Sequence, residues 1–388
     1  MKQKILIFWN PEWIYQIDTF IENNCYIDIV VLSTEHTVSK KIQQHVNQVY
    51  YYAGPKWNER LEEDGVNIIN LVNEIFSKNR YDFVFPDWLD RDIEFFATIN
   101  ERAKIPGIKD YKSIYGKHRY YEIFNKLSIP TPLIFIDSHH YPLIYKPSYG
   151  TGGQGIYICN SKEELRKVLN TRNEHYVLQQ YINGTTFCVV GHVHQFTVNI
   201  DLIYDIEITS PPFCAEIGFV FPSKFSHLEF KIKKFIQSFV DYINLNNSPF
   251  MFDLIIDADE NFFFIDFSPR IATSIHDLMY YIDNKDYFYN ITNKILNDID
   301  FTLKKTKCFV KKMFLMDNYS DKKFRYILND GIKELQLLTN KDQLIKDDVD
   351  VEYNTGHVIA TSDNLDSCYK TLENFLDINS IEHFKFFD

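Results

Sequence analysis

The chain has 388 residues, is 45% hydrophobic and carries 33 Phe and 26 Tyr, enough for two or three domains with a large aromatic core. A formal net charge of −12 excludes a surface that coats nucleic acid, which needs a basic patch, but leaves room for a local basic pocket around an anionic ligand. Six scattered cysteines (Cys25, Cys159, Cys188, Cys214, Cys308, Cys368) form no Cys-x-x-Cys pair, and no apolar run reaches membrane-spanning length.

The N-terminal apolar run stops at Asn10-Pro11-Glu12, too soon for the core of a signal peptide. The expectation is therefore a reduced, cytoplasmic protein with no membrane contact. Ile5 to Trp9 and Ile27 to Ser33 are strand patterns, residues 13–23 and 66–79 are helical, and Tyr81 to Pro86 is a strand. Alternating strands and helices give an open α/β layer over residues 1–105. No G-x-G-x-x-G follows the first strand, so a dinucleotide-binding role for this layer has little support.

Ile105-Pro106-Gly107 breaks the pattern. A helix follows over Lys117 to Leu127, and the prolines of Ser128-Ile129-Pro130-Thr131-Pro132 force extended chain after it. Strands at Leu143–Lys146 and Ile156–Cys159 flank Gly150-Thr151-Gly152-Gly153-Gln154-Gly155. In a dinucleotide fold this glycine pattern opens a helix; here it joins two strands, as in a hairpin flap whose bare backbone can close over phosphates. A protein kinase has such a flap, but the chain lacks H-R-D and reads Asp266-Phe267-Ser268 where D-F-G would stand.

Ser161 with Glu164 makes a capping box for a helix over 161–170. Strand patterns follow at Tyr176–Tyr181, Cys188–His194, Thr197–Leu202 and Asp205–Thr209, then an irregular, proline-containing loop over 211–222 and a long amphipathic helix over 225–243. His192 and His194 share a strand face, but with no third ligand evident they are ordinary strand residues, as is the pair His139-His140. Residues 280–300 are helical, and the last 80 or so carry short strands and a helix at 363–376.

Residues 251–270 carry the strongest chemical signal. Two apolar runs flank a polar turn at Asp257 to Asn261, which is a hairpin pattern. With the turn centred between Asp259 and Glu260, Asp253 opposes Asp266 directly and Ser268 shares their face. Like charges so placed are destabilising unless a cation sits between them, and Mg²⁺ acts with one or two carboxylates and substrate phosphates. Arg270, just past the strand, is placed to reach a phosphoryl oxygen.

Together these stretches resemble the ATP-grasp superfamily of ATP-dependent ligases, over nearly the whole chain. The resemblance implies an α/β (α+β) ATP-grasp fold. Its segments are an N-terminal open α/β domain (1–105), an ATP-binding subdomain with the glycine flap (106–185), a catalytic subdomain with the metal hairpin (186–300) and a C-terminal antiparallel-sheet lobe (301–388), where Thr355-Gly356-His357-Val358-Ile359-Ala360 is similar to the amino-acid-ligase and carboxylase-like branch. It implies that Lys117 and Lys146 hold ATP phosphates under a lid containing Gly152, Gly153, Gln154 and Gly155. It places adenine and ribose at Gln179, Tyr181, Ile182 and Thr186 of the hinge Leu178-Gln-Gln-Tyr-Ile-Asn-Gly184, and Mg²⁺ (or Mn²⁺) at Asp253, Asp266 and Ser268, with Arg270 steadying the phosphoryl group.

Three positions depart from the family pattern: Gln179 and Thr186 where Glu is usual, and Ser268 where Asn is usual. The thirteen-residue spacing from Asp253 to Asp266 is the family spacing. Glu216, Thr273 and Ser274 are candidate substrate contacts; His276 is read as a surface histidine. The implied reaction joins a small-molecule carboxylate and an amine, most simply amino acids, through an acyl phosphate. The alternatives are a peptide or protein acceptor, or a nucleotide-binding pseudo-enzyme; a homodimer is in keeping with relatives of this kind.

Overall fold

The computed structural model describes residues 2–9, 17, 20–31, 38–52, 61–85, 116–135, 140–148, 155–171, 175–208, 216–269, 281–282, 287–301, 309–315, 332–337 and 356–379. Its strands form three sheets. The first holds β1 (Lys4–Phe8), β2 (Tyr26–Val31), β3 (Gln48–Tyr51) and β4 (Phe83–Phe85) in the order β3-β2-β1-β4, all parallel. Helices α1 (Lys40–Gln43) and α2 (Leu61–Lys78) lie in the connections, as parallel pairing demands. Strands β1 and β2 read as continuous apolar runs because both faces of a parallel sheet are covered. The exception, Asp28, is buried against Lys4 Nζ at 3.3 Å and accepts the Tyr81 hydroxyl at 2.7 Å. Strand β3 carries no sequence signal: it is a short edge strand, exposed at both ends.

The second sheet is small and antiparallel: β5 (Ile134–Phe135), β6 (Leu143–Pro147), β7 (Tyr157–Cys159) and β8 (Tyr176–Gln180), in the order β5-β8-β6-β7. Helix α3 (Lys117–Lys126) precedes it and α4 (Lys162–Thr171) follows β7. The start of α4 bears out half of the capping box. Ser161 Oγ accepts the Glu164 N–H at 3.2 Å, but the Glu164 carboxylate returns to the N–H of Asn160, at 2.8 Å, one residue earlier than expected.

The third sheet has eight antiparallel strands: β9 (Gly184–His194), β10 (Thr197–Ile208), β11 (Glu216–Phe221), β12 (Ser248–Asp257), β13 (Phe262–Ser268), β14 (Phe309–Leu315), β15 (Ile332–Leu337) and β16 (Gly356–Ser362). Their order is β13-β12-β9-β10-β11-β14-β16-β15, so the C-terminal strands continue the sheet of the aspartate hairpin. Two expectations are corrected here. The runs at 197–202 and 205–209 belong to one strand, Thr197–Ile208, because Ile203 and Tyr204 between them pair with Val189 and Cys188 on β9; Asp201 sits at a bulge within it, where His192 and Tyr287 each satisfy it at 2.7 Å. Within the stretch expected to be a loop, 216–221 is the strand β11, buried from Ile217 to Phe221 between β10 and β14.

Two cores flank this sheet. On one face α5 (Glu229–Ile243) lays down Ile232, Ile236, Phe239, Val240 and Ile243, a helical stripe, against Phe250, Phe252, Leu254, Phe262 and Phe264. Helix α3 adds Tyr120, Tyr121 and Phe124. On the other face Cys188, Val190, Leu202, Tyr204 and Phe219 pack with the first sheet and with α6 (Tyr287–Asn297).

Helix α7 (Leu365–Asn379) closes the C-terminal strands and brings a buried ion pair with it. Lys311, 2% exposed, lies 2.5 Å from both Glu207 oxygens; the Tyr369 hydroxyl donates to Glu207 at 2.6 Å, and the ammonium stands 3.8 Å from that ring centroid. Burial pushes the Lys311 ammonium below its usual range against the pull of Glu207. Glu207→Ala, which leaves this buried cation without its carboxylate, should cost about 3–5 kcal/mol in urea unfolding, whereas a well-packed apolar pair at 207 and 311 should be near neutral.

Candidate active site

The aspartate hairpin forms, and Asp253 pairs directly with Asp266. The register that does this is not the simple one. From Ile256↔Phe262 to Leu254↔Phe264 the strands run in one register, and from Asp253↔Asp266 to Met251↔Ser268 in another, shifted by one residue. Ile265 is the extra residue of a β-bulge. The expected turn centre was therefore half a residue off, and the pairing it predicted arises from the bulge instead.

The bulge decides the chemistry. Side chains alternate along a strand, so Phe262 and Phe264 face the helical core; in an unbroken strand Asp266 and Ser268 would join them there. With Ile265 extra, Phe267 enters that core, and Asp266 and Ser268 take the face of Asp253. The bulged carbonyl, Ile265 O, accepts from the Tyr121 hydroxyl and from Lys146 Nζ at 3.3 Å.

Both sequence-predicted lysines converge here. Lys117, on the first turn of α3, places Nζ 3.1 and 3.4 Å from the Asp266 oxygens. Its backbone N–H donates to Ser148 O at 2.8 Å, which ties the helix start to the end of β6. Lys146 is 6% exposed on β6. Tyr120 donates to Asp266 as well. Burial alone would raise the Asp266 carboxyl, but the charges of Lys117 and Lys146 and the bonds from Tyr120 and Lys117 outweigh it and hold the group below the usual carboxylate range.

Among the described residues no cluster of three or more His, Cys, Asp or Glu is built to hold a metal ion. The protein thus offers two opposed carboxylates and the Ser268 hydroxyl, an incomplete set. That suits Mg²⁺, whose other ligands come from phosphates and water. Lys117 on the Asp266 carboxylate and the charge of Lys146 nearby balance the like charges with cations, so these residues fit a nucleotide–metal pair.

The hinge residues follow the second sheet. Gln179, in β8, is 1% exposed and interacts with Tyr121; Ile182 and Thr186 are buried and Tyr181 half-buried. Gly184 has a steric reason: a Cβ there would stand 2.2 Å from the Ile256 carbonyl oxygen where β9 meets β12. Gly155, at φ 70°, uses the backbone freedom expected of the glycine loop. Glu216 begins β11, and its charge, with that of Asp253, acts on Cys188 and Tyr204. Gly152, Gly153, Gln154, Arg270, Thr273, Ser274 and His276 lie outside the described residues.

His192 is spent on Asp201 at 2.7 Å and packs on Phe301 with ring centroids 5.2 Å apart; His194 Nε2 lies 2.7 Å from Asp298. Sequence reasoning missed Tyr120, Tyr121, Cys188 and Tyr204, since a tyrosine or cysteine in an apolar run looks like core packing until the opposing strand is known.

Residues 114–274 match the family model described as an ATP-grasp domain. They span α3, the small sheet and the aspartate hairpin. The chain as a whole has the ATP-grasp fold, and three solved structures superpose over nearly all of it. An L-amino acid ligase from Bacillus licheniformis does so at TM-score 0.81 with 15% identity, covering 97% of this chain and 98% of that one. The biotin carboxylase domain of the Hydrogenobacter thermophilus 2-oxoglutarate carboxylase, crystallised with MgADP, ADP and bicarbonate, reaches 0.72 with 17% identity, over 98% and 91%. A phosphoribosylglycinamide synthetase from Anaerococcus prevotii reaches 0.69 with 16% identity, over 97% and 98%. In sequence, an uncharacterized Mycoplasma genitalium protein is 25% identical over 182 residues, a match that takes in 44% of this chain and 58% of that protein. No helix among the described residues is long and apolar enough to cross a membrane.

Proposed function

We propose that the protein is an ATP-dependent carboxylate–amine ligase acting on amino acids or similar small carboxylates. The observation that carries this reading is the bulged hairpin: Asp253 and Asp266 face each other with Lys117 on one of them and Lys146 beside it. The ATP-grasp domain around it supports nucleotide use, and the likeness to an L-amino acid ligase along the full length favours that substrate class over the other ligases.

In this reading Lys117 leaves Asp266 and, with Lys146, binds nucleotide phosphate. Asp253, Asp266 and Ser268 then hold Mg²⁺ or Mn²⁺. Bound there, the ion would supply charge neutralisation for the nucleotide phosphates. Phosphoryl transfer asks for position and charge more than covalent help, so the chain's part is to orient the carboxylate oxygen in line with the γ-phosphate. Arg270 carries charge on the transferred group. The glycine loop of Gly152, Gly153, Gln154 and Gly155 closes over the phosphates and keeps water from the acyl phosphate. The amine then displaces phosphate to form the amide, with Glu216 as a candidate contact for the amine or a metal and Thr273 and Ser274 as candidate contacts for the carboxylate. Gln179, Tyr181, Ile182 and Thr186 line the adenine and ribose side. The proposal includes the four segments 1–105, 106–185, 186–300 and 301–388, a cytoplasmic setting and a homodimer.

The test is ADP and phosphate release with Mg²⁺, ATP and pools of amino acids, with product masses read from the same tubes. Release that depends on one pool, with a product one water lighter than its parts, establishes the reading. ATP binding without release from any pool moves the acceptor to a peptide or protein. Failure to bind ATP overturns the ligase reading in favour of a chain that keeps only the fold.

A further inference from the structure

The carboxylates of the hairpin stand at the end of a row that crosses four strands. Asp266 on β13 pairs with Asp253 on β12; Asp253 pairs with Cys188 on β9; Cys188 pairs with Tyr204 on β10. Directly opposed residues point to the same face, and Cys188 and Tyr204 belong to one core cluster, 0% and 1% exposed. The register therefore sets the three side chains in a row in the order Tyr204, Cys188, Asp253, with a hydroxyl and a thiol available as donors toward the carboxylate. The Tyr204 ring is held edge-on against Phe219, with centroids 5.0 Å apart.

This row has a physical task. Two carboxylates opposed across a hairpin repel, and a single-bond rotation at χ1 would carry Asp253 away from Asp266. A buried donor behind Asp253 opposes that rotation. A thiol suits the place, because S–H is a weak donor: it orients the carboxylate and leaves most of its basicity for a cation. An ammonium or guanidinium there would neutralise Asp253 outright.

We propose that Cys188 and Tyr204 are positioning residues for the metal site, a Tyr–Cys–Asp relay that fixes the orientation of Asp253 toward Asp266. This rests on the reading of Asp253 and Asp266 as cation ligands. It predicts that metal affinity, more than folding or chemistry, depends on the relay. Partners that orient metal ligands typically cost 10–100-fold in affinity when lost.

The experiment measures Mn²⁺ affinity in the presence of ADP by electron paramagnetic resonance, beside thermal melting, for the full chain and three variants. Cys188→Ala, without the donor, should weaken Mn²⁺ about 10-fold. Cys188→Ser, which restores a donor of similar size, should stay within about 3-fold of wild type. Tyr204→Phe keeps the ring on Phe219 and removes only the hydroxyl; it should weaken Mn²⁺ about 3-fold with little change in melting, and it carries the test if Cys188→Ala does not fold. In turnover, Cys188→Ala and Tyr204→Phe should raise KM for Mg-ATP more than they lower kcat. Wild-type affinity in both variants overturns the relay while leaving the ligase reading intact. A Cys188→Ser as weak as Cys188→Ala also overturns it, since packing alone would then explain the loss. A wild-type protein that binds no Mn²⁺ with ADP overturns the nucleotide reading and the relay with it.

Discussion

Asp266→Asn should lower ADP release by about 10²–10³-fold or more while the protein still melts as a folded, cooperative unit. The magnitude is that of removing one preorganised electrostatic contact to a developing charge, and here the same group is also a cation ligand. Asparagine keeps the shape of the side chain, and its amide oxygen can accept the Tyr120 hydroxyl and the Phe267 N–H that Asp266 accepts now, the latter at 2.9 Å. It removes the charge that answers Lys117 and Lys146, and with it the Oδ2 acceptor that Lys117 meets at 3.1 Å. Alanine would be a poorer test, because it abandons the hydrogen bonds as well. The acid limb of stability supplies a second reading. A carboxyl held below its usual range contributes stability that is complete above the unfolded value of about 3.9 and is lost as pH falls through the lower folded value. The variant lacks that contribution at every pH, so its melting temperature should fall less than that of wild type between pH 5 and pH 2. ADP release close to wild type in a folded Asp266→Asn protein would remove Asp266 from the metal site.

The candidate site residues stood out in the sequence as local signals, whereas several strands of the fold around them did not, for a reason visible in particular residues. A pair of carboxylates at a fixed spacing, a lysine on a strand before a glycine loop and a lysine opening a helix are local signals, and each needs only a few neighbours to be read. Lys117, Lys146, Asp253 and Asp266 all arrive within one cluster. What the sequence did not disclose depends on partners far along the chain. Strand β11 was hidden because its neighbours are β10 and β14, the latter nearly a hundred residues later, and because a proline-containing stretch precedes it. The unity of β10 was hidden because Ile203 and Tyr204, between the two runs, show their pairing with Val189 and Cys188 only once the register with β9 is known. Cys188 looked like any buried cysteine until the register placed it between Asp253 and Tyr204.

Deleting Ile265 should remove the bulge and keep the pairing. Without the extra residue the register that runs from Ile256↔Phe262 to Leu254↔Phe264 continues, and Asp266, which then follows Phe264 directly, is next in line opposite Asp253, with Phe267 opposite Phe252 and Ser268 opposite Met251. Side chains alternate along a strand, so Phe267, whose ring centroid lies 4.8 Å from that of Phe252 and 4.9 Å from that of Phe239, stays in the cluster of Phe124, Phe239, Phe252 and Phe264. What the deletion takes away is the bulged carbonyl that accepts from the Tyr121 hydroxyl and from Lys146 Nζ. A buried donor left without its acceptor costs about 1–3 kcal/mol, and more when it is charged. The deletion variant should therefore fold cooperatively but lose about 2–5 kcal/mol. Ile265→Ala is the matched control. It keeps the bulge, and the bonds from Tyr121 and Lys146 go to the backbone carbonyl and not to the side chain, so it should lose only about 1–2 kcal/mol and retain nucleotide binding. Circular dichroism melts of the two variants decide the matter. A deletion variant that melts like Ile265→Ala would mean that the bulged carbonyl contributes nothing to holding Tyr121 and Lys146 over the hairpin, and one that does not fold would mean that β13 needs the bend the bulge gives it.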